Sequence, residues 1–197
     1  MSDVVSTKVV TKDEVRFSYA HVWEAKAVGD GGDLKYSVSI LIPKTATETI
    51  KQINAAVEAA KQAGVGKFGG KIPAVLKLPL RDGDAERPDD DTYAGCYFLN
   101  ATSKTAPGIV KRTQGGALVK VTDESEFYSG CYGYASINFF AFNTNGNKGI
   151  ACGLNNLMKT RDGESLMGRK SAEDDFAEFS QSAFAEVSDA EAEDLPF

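Results

Sequence analysis

The stretch from Phe127 to Asn143, FYSGCYGYASINFFAFN, holds the densest set of side chains able to grip a flat, polar ligand. As an extended strand its alternation puts Tyr132, Tyr134, Ser136 and Asn138 on one face, and Cys131, Ala135, Ile137, Phe139 and Ala141 on the other. The second set is core. The first mixes rings with hydrogen-bonding groups, which suits a wet surface. Exposed rings of this kind can stack on unpaired nucleobases, each worth roughly 1–3 kcal/mol. Tyr19 and Tyr97 are further candidates. Lys35, Lys104, Lys111, Arg112, Lys120 and Lys148 are interleaved with these rings along the chain. Any one of them alone is an ordinary solubilising side chain. Cations for phosphates together with rings for bases are what a single strand of nucleic acid requires.

Other chemistries find little support. His21 is the only imidazole, so any serine or cysteine triad would need it as base, and it sits within a strand pattern. Cys96, Cys131 and Cys152 are widely spaced, which fits neither a disulfide framework nor a clustered zinc site. The acidic loop Arg81 to Asp91, RDGDAERPDDD, invites a metal. As a calcium loop starting at Asp82 it fails: Arg87 falls where glycine is needed, and Tyr93 where a bidentate Glu should be. The glycine-rich GVGKFGG (residues 64–70) lacks the G-x-x-x-x-G-K-[ST] string that cradles phosphates. No catalytic residue, metal or cofactor is expected.

The net charge of −6 hides a division. Nine of the 28 acidic residues lie between Ser171 and Phe197, where no Lys or Arg occurs. Residues 1–170 keep 22 basic against 19 acidic residues, a net of +3. The end of the sequence is specific: Asp189, Glu191, Glu193 and Asp194 precede Leu195, Pro196 and Phe197. A purely solubilising tail would not call for terminal hydrophobes. Phe197 can fill an apolar pocket while its carboxylate and the upstream acids pair with Arg or Lys on the rim. This stretch is therefore a partner-binding ligand carried on an acidic arm.

These groups must be positioned by a mostly β body. Residues 15–23 alternate, with Val15, Phe17, Tyr19, His21 and Trp23 on one face. The turn GDGGD (residues 29–33) leads into residues 35–42, where Tyr36, Val38, Ile40 and Ile42 are apolar and Lys35, Ser37 and Ser39 point away. Thr45 and Glu48 have capping-box spacing, and Ile50, Ile53, Val57 and Ala60 predict a helix over 46–63, ending at Gly64. Residues 64–95 are an irregular connection. Strands resume at 95–101, 117–122, 127–143 and 150–159, with Gly130 and Gly133 able to admit a bulge or bend. About five strands with one inserted helix match a five-stranded Greek-key barrel of the oligonucleotide-binding (OB) type. The acidic tail is expected to be disordered. The domain expectation is an OB-fold body over 1–170 and an interaction tail over 171–197. The polar start of the chain has no apolar leader, so export is not expected.

The sequence resembles the phage-encoded single-stranded-DNA-binding protein (SSB) family. The body carries this in RFSYAHVWEAK (16–26), KYSVSILIPK (35–44), PLRDGD (79–84), GCYFLNA (95–101), FYSGCYGYASINFFAFN (127–143) and NKGIACGLNN (147–156). The D-L-P-F end is similar to the acidic tip of such proteins, with Leu195 in place of the bacterial D-D-I-P-F isoleucine. The resemblance implies an OB-fold that coats single strands in the cytoplasm of the bacterial host, during phage DNA replication, recombination and repair. It implies a tail that recruits a polymerase, helicase, nuclease or recombinase. A metal-dependent nuclease and an adaptor that binds only proteins are the alternatives. The sequence does not fix whether the chain forms a homodimer.

Overall fold

The chain forms a barrel because five long strands alternate apolar and polar residues and are joined so that the sheet closes on itself. The structure, a computed structural model, describes residues 5–167. In chain order the elements are β1 (Lys8–Val10), β2 (Val15–Ala27), β3 (Leu34–Pro43), α1 (Thr47–Ala63), a 3-10 turn (Val65–Phe68), β4 (Arg81–Asp82), α2 (Gly83–Glu86), a second 3-10 turn (Asp91–Tyr93), β5 (Cys96–Ser103), β6 (Gly108–Arg112), β7 (Leu118–Lys120), β8 (Tyr132–Thr144) and β9 (Asn147–Arg161). The pairing path β8-β2-β3-β5-β9 is closed by β8 pairing with β9. All these pairings are antiparallel except β5 with β9. This is the expected OB-type barrel. β1 adds to the outer edge of β8, and the β6–β7 hairpin extends the sheet beyond β9. All of this lies within the unit Met1–Glu164.

The core is the inward half of each alternation. Val15, Phe17, Val38, Ile40, Ile42, Leu99, Ala101, Ala135, Ile137, Phe139, Ile150, Cys152 and Leu154 are buried together. The helix closes one end of the barrel with Ile53, Ala56, Val57 and Ala60. β8 and β9 form the longest pairing, turned by Asn145 (φ +52°) and Gly146 (φ +82°), whose positive φ values suit a two-residue hairpin. The pair has two register shifts, one between Ser136 and Ile137 and one between Tyr132 and Gly133, where a Cβ on Gly133 would stand 1.8 Å from the Met158 carbonyl oxygen. Only glycine lets the strands approach there.

Three sequence expectations change. The alternation of β2 holds to Phe17 and then inverts, because Tyr19 takes φ +46° in a bulge, leaving Val22 rather than His21 in the core. The capping box at Thr45 and Glu48 does not form: Ala46 is the N-cap, and no side chain caps it. Instead the Thr49 amide donates to Asp13 Oδ2 (3.0 Å), and Thr49 Oγ1 accepts from the Lys12 and Asp13 amides (3.0 and 2.9 Å). The start of the helix is thus tied to the loop before β2. β1 and β6 are strands that the sequence did not announce. Among the described residues no helix is long and apolar enough to cross a membrane.

Candidate nucleic-acid interface

The barrel has two broad outer walls, and the structure divides seven of the nine candidate residues between them. On the first wall, the outward side chains of β3 and β5 form a ladder. Ser37 lies opposite Thr102, Ser39 opposite Asn100, and Leu41 opposite Phe98. At one end of this ladder stand Lys35, paired in register with Lys26 of β2, and Lys104, just past the end of β5. The Lys104 ammonium lies 3.5 Å from Asp33 Oδ2, with both side chains three-quarters exposed. At the other end Leu41, Tyr93 and Phe98 make a small second core beneath the 81–95 connection. Tyr19 flanks the middle of the ladder and is 53% exposed, because its bulge turns the ring outward. A recess of about 260 Å³ lies here, lined by Tyr19, Val28, Ser37, Val38, Ser39, Arg87, Asn100 and Thr102. None of these is acidic.

The second wall is the outer face of β8, β9 and β6. Tyr134 and Arg112 share a groove of about 590 Å³ with Val10, Lys12, Thr113, Gln114, Met158 and Thr160. Tyr132 is on the same face of β8, but its ring is covered: the Arg161 guanidinium carbon stands 3.6 Å from the ring centroid and that of Arg16 5.2 Å. Arg161 is held by donating to Glu14 Oε1 (2.7 Å), which raises its pKa. Lys111 is ion-paired with Glu126.

Tyr97 and Lys148 join neither wall's set. Tyr97 lies opposite Ile42 and Asp82, and its ring faces the Lys44 ammonium at 5.2 Å. Lys148 donates to the Phe68 carbonyl (3.0 Å). The candidate partner-binding residues Asp189, Glu191, Glu193, Asp194, Leu195, Pro196 and Phe197 lie outside the described residues.

The acidic connection has structural work. The Lys44 ammonium bridges Asp84 (2.7 Å) and Asp82 (2.9 Å), and hydrogen bonding to these two raises the lysine pKa and lowers both carboxyls. Asp82 also caps α2 through the Asp84 amide, Asp90 accepts from the Thr92 amide, and Glu86 pairs with Arg81. Cys131 and Cys152 are buried, which pushes their thiols up, away from the reactive thiolate.

Sequence reasoning passed over Lys26, Asn100, Thr102 and above all Arg87. Ser37 and Ser39 were legible as outward positions but carried no functional weight by themselves. Arg87 was concealed inside an acidic run.

Protein p50 of Acyrthosiphon pisum secondary endosymbiont phage 1 is 30% identical to this chain over 192 residues, covering 93% of this chain and 96% of that protein. Among solved structures, the single-stranded DNA-binding protein from bacteriophage Enc34 in complex with ssDNA superposes with a TM-score of 0.67 at 26% identity, over 81% of this chain and 88% of that one. A C-terminal truncation of the same Enc34 protein gives a TM-score of 0.64 at 26% identity, over 81% of this chain and 87% of that one. The family model described as Enterobacter phage Enc34, ssDNA-binding protein, matches residues 7–188. With the barrel topology, this match places the chain: it belongs to the Enc34 family of phage ssDNA-binding proteins.

Proposed function

We propose that this chain binds single-stranded DNA without regard to sequence and coats it during phage DNA replication, recombination and repair, in the cytoplasm of the bacterial host. No bond is made or broken. The observation that carries this reading is the β3–β5 ladder, which runs from Lys26, Lys35 and Lys104 through hydroxyl and amide side chains to the exposed ring of Tyr19. The outer face of the second and third barrel strands is where OB-folds take oligonucleotides. Cations there neutralise phosphates, and Tyr19 stacks on a base. Tyr134 and Arg112, on the other wall, offer a second surface along which a longer strand can wrap. Tyr132, Tyr97, Lys111 and Lys148 stay in the proposed set at lower weight, since each already has a partner in the protein.

We propose further that residues 171–197 form a separate interaction arm whose Asp189–Phe197 end recruits replication or recombination enzymes. The acids of this stretch can pair with Arg or Lys of a partner, and Leu195 and Phe197 can fill an apolar pocket.

Fluorescence anisotropy of labelled oligo-dT against salt tests the DNA reading. With about five phosphates neutralised, the log–log slope is about −3.5, and a fourfold rise in salt weakens binding about 100-fold. No binding at low salt would leave the protein-only adaptor reading in its place.

A further inference from the structure

Arg87 follows α2 inside a run of acids, yet none of them holds it. Among the described residues no carboxylate comes within 4.0 Å of its guanidinium: Glu86 pairs with Arg81, and Asp90 accepts from the Thr92 amide. Its guanidinium carbon lies instead among three rings, 4.8 Å from the centroid of Tyr93, 5.4 Å from Phe98 and 5.9 Å from Tyr19. Two of those rings are buried in the second core, so the cation rests on a fixed aromatic base. Cation–ring contacts hold its position while leaving its N–H donors free.

The same recess shows two further irregularities. Tyr19 holds a left-handed φ of +46°, a strained state for a bulky residue that persists only where surrounding structure enforces it. Its effect is to turn the ring out beside Arg87. Ser39, which also lines the recess, is 3% exposed, and its Oγ has no hydrogen-bond partner. Buried hydroxyls are nearly always paired, so Ser39 Oγ, lining the recess without a protein partner, is a group that a bound ligand can hydrogen-bond. The volume is below the roughly 300–1,000 Å³ of ordinary small-molecule sites and suits one ring system.

We propose that this recess is a single-nucleotide subsite, an inference that rests on the DNA-binding reading above. Arg87 donates to one backbone phosphate, Tyr19 stacks on the attached base, and Ser37, Ser39, Asn100 and Thr102 face that base's hydrogen-bonding edge. A base in a duplex has that edge occupied by its partner. The subsite therefore accepts only unpaired nucleotides and discriminates between single and double strands.

The test uses the full chain, labelled oligo-dT and a base-free (abasic) strand of the same length, titrated by anisotropy over a range of salt. Arg87→Ala is expected to make the log–log salt slope shallower by about 0.7 on both strands, the share of one phosphate on a single strand. Tyr19→Ala is expected to leave both slopes unchanged, to weaken oligo-dT binding about 5- to 150-fold, and to leave the abasic strand unaffected. Arg87→Lys guards against a merely structural effect, because it keeps the cation over the same rings: it is expected to retain the wild-type slope. Wild-type slope in Arg87→Ala, or equal weakening of both strands by Tyr19→Ala, overturns the subsite. Absence of wild-type binding to oligo-dT overturns the DNA-binding reading and the subsite with it.

Discussion

Removing the two lysines at the cationic end of the ladder decides which wall carries DNA. Lys35 has no carboxylate within 4.0 Å among the described residues, and Lys104 has only the exposed Asp33 at 3.5 Å. An exposed pair of that kind is worth well under about 1 kcal/mol, so a phosphate displaces Asp33 readily. Each phosphate neutralised on a single strand contributes about 0.7 to the log–log salt slope, so Lys35→Ala with Lys104→Ala is expected to flatten it by about 1.4. Over a fourfold rise in salt the wild type then weakens about sevenfold more than the double variant. The matched control is Lys111→Ala with Arg112→Ala on the β6 side, where Lys111 is already paired with Glu126. That control is expected to keep the wild-type slope on short oligo-dT. Anisotropy at four or more salt concentrations reads both. If the control flattens the slope and the ladder variant does not, the strand runs past Tyr134 instead, and the argument from the β3–β5 ladder fails. If both flatten it equally on a short strand, assignment to a single wall fails.

Three other outcomes follow from the same geometry. Thr49→Val keeps the shape but leaves the Lys12 and Asp13 amides without their acceptor, and is expected to destabilise the fold by about 2 kcal/mol, lowering Tm by about 4–8 °C in a melt; an unchanged melt would show that the tie is idle. His21 has its pKa lowered, first by burial and then by Lys26, so the unfolded chain binds the proton more readily. Stability contributed this way is present above the ordinary histidine value near 6.5 and is lost as pH falls through the folded pKa; His21→Gln is expected to flatten denaturant midpoints measured from about pH 6.5 down to 5. Oligo-dT incubated with magnesium is expected to stay intact, since Asp82 and Asp84 are bridged by Lys44; cleavage that disappears in Asp82→Ala with Asp84→Ala would restore the nuclease reading.

What the sequence made legible, and what it withheld, divides by the range of the interaction responsible. The alternation of β3 and β8 is local, so the inward Val38, Ile40, Ile137 and Phe139 and the outward Ser37, Ser39 and Tyr134 are found where period-2 reasoning puts them. Helix periodicity likewise found Ile53, Val57 and Ala60. The failures are tertiary. Nothing in SYAH announces that Tyr19 will adopt a left-handed backbone, and that bulge, the first of two irregularities in β2, brings Val22 rather than His21 into the core. The Thr45–Glu48 spacing was a sound local signal that lost to Asp13, brought to the helix start by the closing of the barrel. Asn145-Gly146 was an available hairpin signal that would have joined the last two strands.

The deeper limit concerns what "outward" means. Period-2 reasoning sorts a strand into two faces, and it correctly put Lys35 and Tyr134 on the outside of their strands. A closed barrel has one inside but many outsides, and the direction each outer face looks is set by strand order, not by strand composition. Lys35 and Tyr134 therefore belong to different walls, although both satisfied the same local test. Availability adds a second layer. Tyr132 and Tyr134 are equivalent in sequence, but the end of β9 lays Arg161 across Tyr132 and leaves Tyr134 facing a groove. Arg87 shows the converse: it stands amid acids in the sequence, yet the fold pairs Glu86 with Arg81, turns Asp90 to the Thr92 amide, and sets the guanidinium on the rings of Tyr93 and Phe98. A binding surface on this fold is thus a product of closure order and of which charges find partners, and neither can be counted from the strand that carries the side chain.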